Sequence, residues 1–509
     1  MEDIVMDTLI AGIFSVLALE PLLAIGAGVA VGIFMGAIPG LHAAMAIALL
    51  SPITFGMQPI TAIAFLTGIY KGGTYGGSIS AILLNTPGSP EATASAFDGY
   101  PLARAGKAKK ALQMALYASV GGALLADLLL YVVASPFSKF ALQFGPTEVT
   151  FVILFAFTFV AGLTGKSLLR GLAACSFGFL CGMIGLDPMS ATPRLNFGYL
   201  ELQDGLPLLP IAIGMLGVAE VIFAVERGRA HLREKQNEAP TQMISVTGGE
   251  NLSVLEYFTH WKTIIRSSLI GTCIGALPGI GAAMAAFVGY GAAKKHSQRP
   301  EEFGQGSLDG VAAPEAANSA VVGGSFVPLL TLGIPGNVTT ALLIGTFLVH
   351  GIEPGPHVFK MDPVLIYGIF TILFMANFFT LVIGLVGSGL YSHIIKVPEY
   401  ITYSVIALTC VTGVYAMSSS LFFIYVMILF SFIGYLMKKF DYSFVAFLIG
   451  FVLAPEFELA FRSFLLISQG DPVGQLVQRP IALVFFFLTL VTLSRILWRG
   501  LSEQNYLKF

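Results

Sequence analysis

The chain has 509 residues, of which 56% are hydrophobic and only 11% charged, with a mean hydropathy of +0.82. A soluble domain carries roughly 25% charged residues, so this chain could not cover a water-facing surface, and its solvent must be lipid. A net charge of −2 without any basic tract gives no support to a nucleic-acid partner.

Glu2, Asp3 and Asp7 precede the first apolar run. A secretory signal would open with positive charge and close on a cleavable small-residue site, so the start reads as mature protein. The next apolar stretch contains Gly36-Ala-Ile-Pro-Gly-Leu-His-Ala-Ala-Met-Ala46. From Leu22 to Leu50 is 29 residues, whereas crossing and returning needs roughly 40. The expectation is a hairpin entering from one side with Pro39 and Gly40 at its tip. His42 beside it reads as a satisfied core histidine, with a pH-sensing or substrate contact as the sharper alternative.

A second break follows. Gly76-Gly77-Ser78 leads into Asn85-Thr86-Pro87-Gly88-Ser89. Lys71, ahead of it in an apolar stretch, is a functional candidate because an intramembrane lysine is costly unless paired. It either binds an anion, or it snorkels to the interface or pairs with Glu91 or Glu315. Asp98-Gly-Tyr-Pro reads as a turn and cap at a membrane boundary.

Lysines and arginines gather in cytoplasmic loops. Arg104, Lys107, Lys109 and Lys110 form one cluster, and Arg227, Arg229, Arg233 and Lys235 another. Between them lie four apolar runs, about 111–134, 149–163, 171–187 and 206–226, with Lys166 and Arg170 in the middle connection. Four crossings return the chain to the same side. The polar stretch Glu226–Thr259 then links two halves on the cytoplasmic side.

The second half repeats the first. Gly275-Ala-Leu-Pro-Gly-Ile-Gly-Ala-Ala-Met-Ala285 matches the first motif at eight of eleven positions, 275 − 36 = 239 residues later. Lys262–Ala292 is 31 residues, again a hairpin length, with Pro278 and Gly279 at the tip. Gly323-Gly324-Ser325 leads to Gly333-Ile334-Pro335-Gly336-Asn337, pairing with Gly76-Gly77-Ser78 and its break. Equivalent loops carry opposite charge: Ser51–Gln58 is uncharged and Lys294–Arg299 is basic, while Arg104–Lys110 is basic and its counterpart holds Glu353, Lys360 and Asp362. Matching segments therefore face opposite sides, the mark of an inverted repeat. From about 363 onward, Lys396, Lys438–Lys439 and the tail Arg495, Arg499 and Lys508 alternate with loops poor in Lys and Arg, such as 455–479. The phenylalanines at 485–487 read as lipid-facing bulk.

Duplicated Pro-Gly breaks inside apolar segments point to a transporter substrate site. Non-helical backbone at membrane depth survives only where protein or a wet cavity satisfies it. The tips should therefore be buried and polar, with half-helix N-termini aimed at a bound anion. The substrate-binding candidates are Pro39, Gly40, Lys71, Asn85, Thr86, Pro87, Gly88, Ser89, Pro278, Gly279, Pro335, Gly336, Asn337 and Thr339. The cation-binding candidates are Asn85, Glu315, Asn318 and Thr340, since hard cations prefer oxygen donors. Na+ is the metal ion such oxygens suit, with the ligand set open. The structural alternatives are that the amides and hydroxyls cap broken helix ends and that Glu315 sits in the loop after Gly310.

Cys175, Cys181, Cys273 and Cys410 lie in apolar runs without zinc or disulfide spacing and read as core filler. His42, His231, His260, His296, His350, His357 and His393 form no metal-ligand spacing, and no Gly-x-x-x-x-Gly-Lys-Ser/Thr loop is present. No catalytic residue, cofactor or ATP hydrolysis is expected.

The stretch Gly68-Ile-Tyr-Lys-Gly-Gly-Thr-Tyr-Gly-Gly-Ser-Ile-Ser-Ala-Ile-Leu-Leu-Asn-Thr-Pro-Gly88, then Phe97-Asp-Gly-Tyr-Pro-Leu-Ala-Arg-Ala-Gly106, resembles the large membrane subunit of the tripartite tricarboxylate transporters. So does Gly310-Val-Ala-Ala-Pro-Glu-Ala-Ala-Asn-Ser319 followed by Leu332-Gly-Ile-Pro-Gly336. The resemblance spans about residues 20–455. It implies a secondary transporter that moves carboxylates with a cation gradient, commonly sodium, beside a small membrane subunit and a periplasmic solute-binding protein. Lys71, where a neutral residue is expected, and His42, where the second half keeps Gly281, depart from the pattern and bear on substrate choice.

The reading is an all-α polytopic membrane protein of two inverted repeats with Pro-Gly-interrupted re-entrant or broken helices, about ten to fourteen membrane segments in all. Residues 1–226 form the first repeat, 227–259 a polar cytoplasmic linker, and 260–509 the second repeat with extra helices. The expected function is import of a di- or tricarboxylate across a bacterial or archaeal cytoplasmic membrane by Na+ or H+ symport with alternating access. A stand-alone carboxylate carrier or a passive anion channel is the alternative, a membrane enzyme the weakest rival. Monomer and homodimer are both left open.

Overall fold

The computed structural model describes residues 2–163, 168–234, 250–387 and 399–506. Lys166, Lys396, Lys508 and residues 235–249 of the polar linker lie outside the described residues, as do the side chains of Arg227, Arg229, His231, Arg233 and Arg499 and all of His393. Among the described residues the fold is all-α and polytopic. The one sheet among the described residues is a hairpin pairing Gly185–Leu186 with Pro193–Arg194. Among the described residues seven helices are long and apolar enough to cross a bilayer, and six shorter apolar helices accompany them. Large apolar side chains such as Phe14, Leu19, Leu408 and Phe432 stand exposed on the outside, as expected where the solvent is hydrocarbon.

The first repeat holds α1 (Glu2–Leu17), α2 (Leu19–Ala37), α3 (Ala43–Leu50), α4 (Pro59–Leu84), α5 (Thr93–Leu102) and α6 (Ala108–Ala141). There follow α7 (Pro146–Leu163), α8 (Leu168–Gly182) and α9 (Leu208–Ala212), which runs through a π-helical turn at Ile213–Val218 into α10 (Ala219–Glu234). Four helical segments thus stand where four apolar runs were read. Within the linker stretch 227–259 lies α11 (Val254–Thr259), and after it come α12 (Trp261–Gly275), α13 (Gly281–His296), α14 (Leu308–Leu332), α15 (Val338–Val349), α16 (Val358–Met361) and α17 (Pro363–Val386). The chain ends with α18 (Glu399–Ser418), α19 (Leu421–Lys439), α20 (Phe444–Ile467), α21 (Pro472–Val477) and α22 (Pro480–Tyr506). The stretch 455–479 is therefore not a loop: α20 continues through Pro455 to Ile467 and carries Arg462.

All four Pro-Gly motifs fall in gaps between helices. Gly40 and Gly279 both adopt φ +84, a left-handed conformation that favours glycine. Asn85 (φ 56) and Gly333 (φ 71) end α4 and α14 in the same left-handed region.

The duplication is visible in packing. Gly36 approaches the Gly73 carbonyl and Gly275 the Val321 carbonyl, each so closely that a Cβ would lie 2.6 Å from the oxygen. A Cβ on Gly76 would meet the Ile33 carbonyl at 2.6 Å, and one on Gly324 would collide with the Thr272 carbonyl. These contacts match at 275 − 36 = 239 residues in the first helix of each repeat and 324 − 76 = 248 in the second. The register corrects one sequence alignment by a residue: Gly76 corresponds to Gly324, not to Gly323.

The equivalent helices α4 and α14 run antiparallel where they meet. Lys71, Thr74 and Tyr75 share a small cleft with Ser319 and Val322, while Ser78, further along α4, donates to Glu315, further back on α14. Likewise Leu116 of α6 lies against Gly384 of α17, and Tyr131 against Phe370. Opposed directions in matching helices are the geometry of an inverted repeat.

The first segment of each repeat differs in form. In the second, α12 and α13 lie antiparallel, with Arg266 Nη1 donating to the Ala292 carbonyl at 3.4 Å, so the chain turns back at Pro278-Gly279. In the first, α2 is 19 residues and long enough to cross, followed by the eight-residue α3.

Outside this core, α8 packs on α20 and α19 on the π-helical turn, again through glycines. A Cβ on Gly178 would collide with the Phe447 carbonyl, and one on Gly214 with the Met427 carbonyl. The π-helical turn, the start of α10, α19 and the start of α20 form a wall facing the Pro-Gly tips.

Candidate functional site

The four breaks meet. A cavity of about 780 Å³ lies between them and the outer wall, lined from the tips by Gly40, Pro87, Gly88, Ser89 and Gly279 among others. Four helix starts open on it: His42, Ala43 and Ala44 at α3; Pro90, Glu91 and Thr93 leading into α5; Gly281, Ala282 and Ala283 at α13; Asn337, Val338 and Thr339 at α15. The first turns of a helix leave backbone N–H groups unpaired and carry the positive end of its dipole. Four of them around one space bring four positive dipole ends together, although the Ala92 and Thr93 amides leading into α5 are already paired with the Ser89 and Pro90 carbonyls.

Local sequence accounts for how each start is dressed. Asn337 closes a capping box, accepting from the Thr340 amide at 3.0 Å while Thr340 Oγ1 accepts from the Asn337 amide at 3.0 Å. His42 Nδ1 accepts from the Met45 amide at 3.4 Å. No side chain caps α13, whose counterpart of His42 is Gly281. Its first amides are left for another acceptor.

Two side chains on the cavity have unmet polar atoms. Asn318 is 1% exposed, and neither its Oδ1 nor its Nδ2 has a partner; Ser89 is 4% exposed, and its hydroxyl has none. Buried polar groups are normally hydrogen-bonded, so both point to a ligand. Asn337 Nδ2 donates to Tyr70 Oη at 2.8 Å, holding that phenol at the cavity. The outer wall contributes Met215, Glu220, Lys438 and Tyr442, with Lys438 paired to Glu220.

Of the residues singled out from sequence, Gly40, Pro87, Gly88, Ser89, Gly279, Asn318, Asn337 and Thr339 line the cavity. Pro39, Pro278, Pro335, Gly336 and Thr340 shape the tips without forming its wall. Gly279 N donates to the Gly336 carbonyl at 2.8 Å, tying the two tips of the second repeat together. Asn85 and Thr86 are exposed and do not line the cavity.

Lys71 and Glu315 are buried elsewhere. Lys71 Nζ donates to Asp127 at 2.9 and 2.7 Å, and Asn377 Nδ2 donates to the same carboxylate at 2.6 Å. Its partner is thus neither Glu91 nor Glu315. Asp127 was legible by the same rule that singled out Lys71, an ionisable residue inside an apolar run. Glu315 lies within helix α14 rather than in a loop after Gly310. Ser78, Ser95 and Ser119 all donate to it, the last at 2.9 Å. Asp98 lies within helix α5, with Pro101 inside the same helix, and not in a turn; it accepts from the amides of Gly304, Gly306 and Ser307 at 2.8–2.9 Å and from Tyr290 Oη, and so caps the loop entering α14 of the other repeat.

With this geometry in place, comparison with known proteins is specific. Residues 22–449 match the tripartite tricarboxylate transporter TctA family, and the chain belongs to it. It is 36% identical over 457 residues, 89% of each chain, to an uncharacterized 52.8 kDa protein in the TAR-I ttuC' 3'region of Agrobacterium vitis. It is also 36% identical over 221 residues, 43% of this chain and 91% of the other, to an uncharacterized protein in the TAR-II ttuC' 3'region of the same organism. No solved structure matches. The chain is a multi-pass membrane component of a tripartite tricarboxylate transporter.

Proposed function

We propose that this chain forms the translocation pathway of a secondary carrier that imports a small organic anion, a di- or tricarboxylate, by alternating access. The observation that carries the reading is the convergence of four helix N-termini, two from each inverted repeat, on one cavity. About 780 Å³ falls within the usual range for small-molecule sites. The one cationic side chain among the described lining residues, Lys438, is paired with Glu220. Carboxylate charge is therefore offset by backbone dipoles and by neutral donors such as Asn318, Ser89 and Asn337. Such an environment holds an anion without trapping it.

The cavity lies between the duplicated core and the outer wall, so movement of one against the other would expose it to alternate sides. Lys438 and Lys439 beside its mouth favour an orientation with this opening toward the cytoplasm. Energy comes from a Na+ or H+ gradient across a bacterial or archaeal cytoplasmic membrane. A small membrane subunit and a periplasmic solute-binding protein complete the system, the second delivering the carboxylate.

The test is reconstitution in proteoliposomes, with and without candidate partner subunits, using a panel of carboxylates under imposed Na+ and pH gradients. Accumulation of a carboxylate against its own gradient is expected. Movement that only ever follows the solute's own gradient would establish a passive channel instead.

A further inference from the structure

Resting on the carrier reading above, the geometry points to Glu315 as the coupling site, and we propose that the ion it carries is a proton. Glu315 is 0% exposed, two turns into α14. A lone buried carboxylate is expensive unless it is paired, coordinated or neutralised. Among the described residues no cation reaches it. Lys71 is taken by Asp127, and His260, at the start of α12, by Asp309 in the first turn of α14. The charged side chain of the cavity rim that bears on it, Glu91, has the same sign.

What surrounds it instead is three serine hydroxyls, each from a different helix of the other repeat. Ser78 of α4 and Ser95 of α5 donate to Oε1, and Ser119 of α6 donates to Oε2 at 2.9 Å. A hydroxyl both donates and accepts, and its hydrogen rotates freely. Three of them can serve the carboxylate as donors, and one can reverse to accept from the carboxylic acid, without any heavy atom moving. Lysine or arginine could stabilise only the charged form. The cage is suited to both protonation states of one group.

Position links the cage to the substrate. Asn318, three residues on and so a neighbour on the same helix surface, reaches the cavity with both amide atoms free. In the proposed cycle the Glu315 carboxylate takes a proton from the outer water and becomes the neutral acid. It returns the proton to cytoplasmic water after release of the carboxylate. One negative charge of the loaded core is cancelled for the crossing.

The test uses the full chain with whichever subunits support wild-type uptake, reconstituted and given a carboxylate that it exchanges. Glu315→Gln should keep carboxylate exchange between the two sides but lose accumulation driven by a pH gradient, by at least tenfold. Ser119→Ala should move the pH midpoint of uptake, and Ser119→Thr should leave it in place. Undiminished pH-driven accumulation by Glu315→Gln would overturn the assignment. So would wild-type accumulation that follows a Na+ gradient and ignores pH. If Glu315→Gln lost exchange as well, the Ser119 pair would decide, an unmoved midpoint in Ser119→Ala counting against the site. Absence of any exchange by the wild type would instead strike at the carrier reading itself.

Discussion

Lys71 Nζ lies 2.7 Å from Asp127 Oδ2, with the two side chains 3% and 1% exposed, and the pair joins α4 to α6. Asn377 of α17 donates to the same carboxylate, so one buried charge pair fastens helices of both repeats. Removing one member of such a pair costs about 3–5 kcal/mol because the other charge is stranded. Lys71→Met should therefore lower the melting temperature sharply in detergent. The double variant Lys71→Met with Asp127→Asn removes both charges and leaves a carbonyl for Asn377, and it should recover most of the loss. The cycle of four proteins, read by thermal melting, measures the coupling. A double variant that folds but no longer binds a carboxylate bound by the wild type would return Lys71 to a substrate role.

Asn318 and Ser89 are the cavity side chains with unmet polar atoms. A hydrogen bond to a charged group contributes about 1.5–3 kcal/mol, or roughly ten- to 150-fold in affinity. Asn318→Ala and Ser89→Ala should each raise the KM for carboxylate uptake by about tenfold or more. Neither strands a protein partner, so expression and melting should change little. Unchanged KM in both would place the anion elsewhere in the cavity.

The tips also need two glycines for closeness. A Cβ on Gly88 would collide with the Gly36 carbonyl, and one on Gly336 would sit 2.7 Å from the Gly275 carbonyl. Overpacking of this kind costs about 1–3 kcal/mol and shifts backbone, here the backbone that aims two helix starts. Gly88→Ala and Gly336→Ala should each cut uptake at least tenfold per molecule expressed, and Pro87→Ala with Gly88→Ala should abolish it. Gly291→Ala, a helical site with open space around it, is the control that should transport normally. Equal uptake by all of these would remove the breaks from the pathway.

Much of this arrangement was legible from Pro39, Pro87, Pro278 and Pro335. A missing N–H and a tolerant neighbouring glycine are properties of the residues themselves, so the breaks and their duplication can be read before any fold is known. What binds across the gaps is different. Ser78, Ser95 and Ser119 look like ordinary small residues in sequence, and only the meeting of α4, α5 and α6 around Glu315 makes them a cage. Asn85 and Thr86 stand outside the cavity lining: Asn85 ends α4 in the left-handed region, and both residues are exposed. Met215, Glu220, Lys438 and Tyr442 carried no motif, because an outer wall needs shape rather than special backbone.

The antiparallel crossing of α4 and α14 fixes a relation between two distant loops. If matching helices run in opposite directions, the loop at Phe55 and its counterpart at Ser297 must lie on opposite faces of the membrane. The lysines at 294 and 295 put Ser297 on the cytoplasmic face. Phe55→Cys should then react with a membrane-impermeant maleimide added outside intact cells, whereas Ser297→Cys should react only after permeabilisation. The background needs Cys273→Ser, since Cys273 is exposed whereas Cys175, Cys181 and Cys410 are buried. Labelling of both positions from the same side would be incompatible with an inverted pair. The four helix starts would then belong to a different symmetry from the one that aims them at a shared anion.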